Sequence, residues 1–258
     1  MERNGQGETV SMESVKEYVE LLKAPWGKMF YDLLFIQLHI PETKRLRILD
    51  FGSGLGMTAN YFAKWHDVTA IEPNTGMIDS GYRQNPYMQI CGGIEILETF
   101  DKAAFDIVFC HNVLEYIQDK APVIAELFRV LKPGGTLSLI KHNRIGKVFA
   151  NAVFQSNPKK AISLLDNNAN DKNNYLGTQY IYSNEDVKKW MDKIGGQIKK
   201  VLGIRTFWAL GQDNAVKYTE EWYQNMLALE SAVAEVDEYR NVAYFHHLLI
   251  EKMVKNVS

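Results

Sequence analysis

The chain is short of several things, and each shortage removes a class of protein. Only two of its 258 residues are cysteine, Cys91 and Cys110, and both sit in apolar runs. They read as small core side chains, which excludes a disulfide-stapled scaffold and fits a reducing cytoplasm. The formal net charge is -2, so no broad basic field advertises DNA or anionic lipid. No apolar stretch is long enough to cross a bilayer. The opening MERNGQGET is polar and lacks the apolar segment of a secretory signal, and residues 1–10 are expected to form a disordered tail. There is no internal repeat. Metal-ligand spacing is missing too: His246 and His247 are adjacent on an expected strand, point to opposite faces, and cannot easily share one ion.

What is present is an apolar fraction of 46%, enough for a core of one domain with additions. Residues 14–23 open with a capping-box pattern, Ser14 with Glu17, and predict a helix; a second follows over 27–39. From Arg47 the pattern alternates. Apolar strands are expected at 47–51, 67–72, 87–91, 105–110 and 136–141, with helices at 57–65, 75–83 and 121–131 and a turn at KPGG. Continuous apolar strands between helices predict an α/β fold, a mostly parallel sheet with helices on both faces. Beyond it lie a helical stretch at 145–165, a polar loop at 166–174, a helix at 185–194 capped by Ser183, a strand at 197–207, a long helix at 214–236 and a strand at 243–252. Residues 142–178 and 213–240 are expected to cap one end of the sheet.

GSGLG, residues 52–56, follows the first strand directly. A dinucleotide fingerprint needs a third glycine at 57, where methionine stands. The spacing is G-x-G-x-G, compatible on its own with a nucleotide-type ligand or with a bare tight turn. Glu72 ends the second strand, where a carboxylate can accept both hydroxyls of a ribose or be a solvated strand end. Asp50, one residue before the turn, would brace the loop or lie near the ligand.

ILDFGSGLG, VTAIEPN, FDIVFCHNVLEYI and LKPGGTLSLI, in that order over residues 46–141, resemble successive motifs of the class I S-adenosylmethionine-dependent methyltransferases. The resemblance implies a Rossmann-like seven-stranded sheet, S-adenosylmethionine as cofactor, and N-terminal helices at 11–44 over its site. Carried onto this sequence, it has Gly52, Ser53 and Gly54 admit the methionine part of the cofactor. Glu72 holds the ribose, Pro73 and Asn74 border the adenine, and Met77 covers it. Gly93 and Ile94 stand where the family meets the adenine amine, with Glu95 the nearest acid. His111 and Asn112 line the methyl-donor cavity.

FCHNVLEYI, LKPGGTLSLIKHN, GIRTFW and YFHHLLIEK look most like the bacterial tRNA carboxymethoxyuridine methyltransferase branch, which methylates a carboxylate. That branch carries a basic run where this chain has DNNANDKNNYLG. The acceptor is therefore open between a small molecule and tRNA, with the lysine pairs 159–160, 188–189 and 199–200 as candidate phosphate contacts or ordinary surface. A regulator that binds the cofactor without catalysis is the remaining alternative.

A carboxylate acceptor needs no base, whereas an amine or hydroxyl usually does. His111 is the candidate base or a wall of the cavity. Asn143 is a candidate to orient the acceptor. Arg205, a polar break in GIRTFW, is a candidate to bind a carboxylate bidentately, or to pair with an acid of the long helix. Trp26, Trp208 and Tyr244 are candidates for the pocket walls.

Overall fold

The computed structural model describes residues 2–3, 9–10, 12–166, 171–173 and 177–254. Seven strands make the central sheet: β1 Arg47–Phe51, β2 Asp67–Glu72, β3 Met88–Cys91, β4 Phe105–His111, β5 Leu131–His142, β6 Gly196–Ile204 and β7 Phe245–Lys252. Their order across the sheet is β6-β7-β5-β4-β1-β2-β3. The five strands from β5 to β3 are parallel; β7 runs antiparallel to both β5 and β6. The chain therefore leaves β1 in two directions, toward β2 and toward β4. In open α/β sheets that switch point, beyond the carboxyl ends of the strands, is where ligands bind.

The strands are apolar on both faces because both are covered. Along β1 the burial pattern is one exposed residue followed by four buried ones. On one face Ile48, Phe109, Ile140 and Phe245 pack under Met29, Phe30, Leu33 and Leu34 of α2 (Pro25–Leu38) and under Ala59 and Phe62 of α3 (Met57–Phe62). On the other, Leu49, Val108, Leu139 and Leu248 meet Leu127 of α5 (Lys120–Val130) and Val187 and Met191 of α8 (Asn184–Ile194). Burying such side chains contributes about 1.5–3 kcal/mol each before chain entropy is subtracted.

Several boundaries differ from the sequence reading for local reasons. α1 spans Met12–Lys23, so Ser14 lies inside the helix rather than capping it. Pro25 starts α2, at a first-turn position where its missing N–H costs nothing. α4, Thr75–Asp79, stops four residues short of the expected end; its cap is Asn74, whose Oδ1 accepts from Met77 N–H at 3.1 Å. Ser183 does cap α8, in a reciprocal capping box with Asp186. The stretch 145–165 is broken into α6 (Arg144–Phe149), a π turn (Ala150–Phe154) and α7 (Pro158–Ser163). Pro158 forces the last break.

The long helix begins later, as α9 Glu220–Val233. It lies alongside α2, with Tyr223 Oη donating to Asp32 Oδ2 at 2.7 Å, and is followed by α10, Asp237–Arg240. In the expected tail, Glu2–Arg3 pairs with Thr9–Val10; in the polar loop, Asp171–Asn173 pairs with Gly177–Gln179. Apart from Asp166, the remainder of both lies outside the described residues.

Candidate functional site

The glycine turn lies at the carboxyl end of β1. Gly52, Gly54 and Gly56 all have positive φ, at 74°, 54° and 70°, a conformation that costs a side-chain-bearing residue strain. Their surroundings differ. A Cβ on Gly54 would meet nothing within 4 Å, whereas one on Gly52 would overlap Val113 and one on Gly56 would overlap Tyr87. At Gly52 it is thus Val113 that a side chain would displace. The open space belongs to Gly54.

Glu72 is buried and holds the turn from β2. Its Oε2 accepts from Gly54 N–H at 2.8 Å and its Oε1 from Asn74 N–H at 2.9 Å. Burial pushes its pKa up, and those two N–H groups pull against it. Each carboxylate oxygen keeps a free lone pair, so the acid can brace the loop and still take two ribose hydroxyls. Above it lies α1. Tyr18 is near enough for burial first, and the Glu72 charge second, to push its phenol up to about 12. Val15 and Leu22 of the same helix pack with Leu55 and Met77. Met77 is therefore wedged between α1 and the turn. Pro73 is half-buried beside it, and Ile94 is 36% exposed. Glu95 folds back so that its Oε1 accepts from Gly93 N–H at 2.6 Å.

Four buried polar atoms near the tips of β1 and β4 have no hydrogen-bond partner among the described residues: Asp50 Oδ2, Ser53 Oγ, His111 Nδ1 and Asn112 Oδ1. Leaving such atoms unsatisfied costs about 1–3 kcal/mol each, so a cluster of them calls for a ligand, an ion or ordered water to complete it. Two, Asp50 Oδ2 and Asn112 Oδ1, are carboxylate and amide oxygens that accept, and the serine hydroxyl and imidazole nitrogen can accept as well, which suits a cationic donor such as the ammonium of S-adenosylmethionine. The residues present therefore fit that cofactor. Burial raises the Asp50 pKa to about 7, with the Glu72 charge adding to it against the Ala59 N–H. Burial, and then His247, hold His111 well below the ordinary histidine range. Asn112 itself sits at φ 56°, a strained setting that asparagine tolerates better than most residues.

The acceptor candidates lie farther along the same rim. A cavity of about 380 Å³ lies among α2, the π turn and the segment after β6. Trp26, Arg205, Trp208, Lys217 and Tyr244 line that cavity. Arg205 is not on a strand as the sequence suggested: it follows the last residue of β6, at φ 62°. Its guanidinium lies 5.2 Å from the Trp26 ring and 5.4 Å from the Tyr244 ring. It makes no hydrogen bond or ion pair to any described residue, and its Nε is buried. The acid of the long helix that might have paired with it, Glu230, instead accepts the N–H groups of Thr206, Phe207 and Trp208 at 2.7–2.8 Å. Burial lowers the Arg205 pKa to about 10, so it stays charged at neutral pH.

Asn143 does not reach that cavity as a free amide. It caps α6 through Ile145 N–H, and its Nδ2 donates to the carbonyls of Asn241 and Ala243 at 2.8 and 2.9 Å. Both amide hydrogens are committed to the backbone, so the amide has none left to offer an acceptor. His142 is held by Glu115, whose Oε1 accepts its backbone N–H at 2.7 Å and lies 3.1 Å from its Nδ1. Sequence reasoning missed Tyr18 and Lys217. Only the aromatic character of YVE hinted at the first. Among the described residues no group of three or more His, Cys, Asp or Glu side chains is placed to hold a metal ion, and no helix is long and apolar enough to cross a membrane.

Residues 49–139 match a family described as a methyltransferase domain. Over 225 residues, 81% of either chain, the sequence is 26% identical to the tRNA 5-carboxymethoxyuridine methyltransferase of Escherichia coli K12. Over 186 residues, 68% of this chain and 76% of the relative, it is 27% identical to a ubiquinone biosynthesis O-methyltransferase of Coxiella burnetii. In fold it is similar to a solved S-adenosylmethionine-dependent methyltransferase from Aquifex aeolicus, with a TM-score of 0.56 over 95% of this chain and all of that one at 14% identity.

Proposed function

We propose that this chain, which is a class I S-adenosylmethionine-dependent methyltransferase, esterifies a carboxylate on a small acceptor with a planar ring. The observation that carries the reading is Arg205: a buried, charged guanidinium that makes no ion pair with a described residue, feels Glu230 only at a distance, and is set between aromatic rings in a cavity beside the cofactor end of the sheet. A charge left so is costly unless a ligand pairs with it, and a guanidinium matches a carboxylate bidentately.

The cofactor supplies a methyl group already activated on a sulfonium. Gly54 gives it space, Glu72 takes its ribose, and Asp50, Ser53 and Asn112 take its charged end. Pro73, Met77, Gly93 and Ile94 border the adenine side. Arg205 turns one carboxylate oxygen of the acceptor toward the methyl carbon. Methyl transfer to that oxygen would form the O–C bond as the C–S bond breaks, leave the electron pair on sulfur, and require no proton to move. No base is needed, which agrees with a His111 kept neutral by burial. Alignment alone supplies up to roughly 7–11 kcal/mol in favourable cases.

An RNA-borne carboxylate is the second reading, favoured by the similarity to the tRNA methyltransferase. Against it, Lys188, Lys189, Lys199 and Lys200 each lie beside an acid, Asp192, Asp186, Glu251 and Glu235, so these lysine pairs form no uncompensated basic patch. Labelled methyl transfer into a metabolite extract and into bulk tRNA, followed by mild alkali, tests both. Alkali-labile label in the small-molecule fraction is expected. Label only in ribonuclease-sensitive material supports the second reading, and alkali-stable label rejects a carboxylate.

A further inference from the structure

A line of buried polar side chains crosses the α2 face of the sheet and ends at His111. Gln37 Nε2 lies 2.9 Å from the carbonyl of Gly203, and Gln37 Oε1 lies 2.8 Å from His247 Nδ1. His247 Nε2 lies 2.8 Å from Ser138 Oγ, which lies 2.7 Å from His111 Nε2. Gln37, Ser138 and His247 are all buried, the last two completely.

The direction of every hydrogen in this line follows from its far end. A carbonyl only accepts, so the Gln37 amide must turn its NH2 to Gly203 and its oxygen to His247. That oxygen only accepts, so His247 carries its hydrogen on Nδ1. Burial lowers the His247 pKa to about 3, so at neutral pH its Nε2 is bare and accepts the Ser138 hydroxyl. Ser138 then has only lone pairs left for His111, which must donate through Nε2. Reversing the line would set two acceptors 2.8 Å apart at His247 and Gln37. His111, itself neutral, is left with a bare Nδ1.

We propose that Gln37, His247 and Ser138 are positioning residues that hold His111 in its Nε2–H tautomer, and that the bare Nδ1 accepts a hydrogen bond from the cofactor's ammonium. Nδ1 is one of four unpartnered atoms at these strand tips, with Asp50 Oδ2, Asn112 Oδ1 and Ser53 Oγ. Such a set of acceptors matches the three hydrogens of an ammonium and repels a carboxylate, which leaves the acceptor anion to Arg205. The ammonium contact rests on the methyltransferase reading; the tautomer does not.

Long-range proton–nitrogen spectra of protein labelled with 15N-histidine test both parts. His111 and His247 are assigned from the His111→Gln and His247→Asn variants. Without ligand, His111 is expected to show protonated Nε2 and bare Nδ1, and His247 the opposite pattern; a protonated His111 Nδ1 overturns the relay. Gln37→Met touches neither His111 nor the cofactor pocket, and is expected to turn the single His111 tautomer into a mixture. An unchanged spectrum in a folded Gln37→Met protein removes Gln37 from the role.

S-adenosylhomocysteine, which carries the ammonium, is expected to shift Nδ1, whereas methylthioadenosine, which lacks it, is expected to bind and leave Nδ1 in place. Equal shifts from both overturn the ammonium contact. Failure of both to bind in calorimetry overturns the contact together with the cofactor reading, and leaves the ligand-free tautomer to be judged on its own spectrum. Ser138→Ala is expected to weaken S-adenosylhomocysteine about tenfold, since a hydrogen bond to a charged group is at stake, and to spare methylthioadenosine. Equal loss for both compounds assigns Ser138 a purely structural part and overturns its role toward the ammonium.

Discussion

Gly52 and Val113 interlock: a methyl group on the glycine would overlap one Val113 methyl and stand 3.0 Å from the other. The turn after β1 is thereby keyed to the segment after β4, across the switch point of the sheet. Gly52→Ala is expected to lower thermal stability by roughly 1–3 kcal/mol, from overpacking and the positive φ together. Calorimetric melting of Gly52→Ala beside Gly52→Ala/Val113→Ala checks this. If trimming Val113 restores nothing, packing is not the cause.

Gly54 predicts the opposite balance. Space is open around it, so Gly54→Val should fold, at a cost of about 1–2 kcal/mol for its φ, yet lose S-adenosylmethionine binding. Isothermal titration decides the matter, and wild-type affinity in the variant would remove the cofactor from this turn.

Glu72→Ala deletes the acceptor of two backbone N–H groups as well as the expected ribose contact. Affinity should fall by roughly 1–3 kcal/mol. Adenosine should lose as much as the whole cofactor, because the ribose is common to both. A loss confined to the whole cofactor would place Glu72 elsewhere on the ligand.

Asp50 provides a pH dependence whose sign is set by burial. Its folded pKa, about 7, lies above the ordinary carboxylate range, so the neutral acid stabilises the fold, and that contribution is lost as pH rises through 7. A bound ammonium favours the charged form instead. Apparent cofactor affinity should therefore rise with pH up to about 7 and level off, with up to about tenfold lost per unit below it. Asp50 senses the Glu72 charge, and Tyr31, Tyr87 and Cys110 sense that of Asp50, so the control is Asp50→Asn, expected to flatten the profile between pH 5.5 and 8. A profile unchanged in that variant would exclude Asp50 as its source.

Arg205→Ala should raise the acceptor KM on the order of tenfold or more and leave cofactor affinity alone, since a charge-assisted contact to the acceptor is lost. The reverse pattern in steady-state and titration data would move Arg205 to the cofactor.

The sequence by itself determined the repeating units. Apolar runs such as RILDF and FDIVFC must be strands buried on both faces. The missing glycine at Met57 excluded a dinucleotide turn, and Ser183 marked the start of a helix, because these signals depend on neighbours within a few residues. Only the tertiary structure decided what each polar side chain does. Ser138 and His247 are 109 residues apart in the chain, and His247 and Gln37 are 210 apart, so the line that orients His111 exists only once β5, β7 and α2 have met. The same holds for Asn143, drawn away from the acceptor by the carbonyls of Asn241 and Ala243, and for Arg205, left unpaired because Glu230 is taken by the turn that follows it. Periodicity reports whether a residue is buried, but hydrogen-bond partners are chosen by spatial proximity, and proximity is a property of the folded chain.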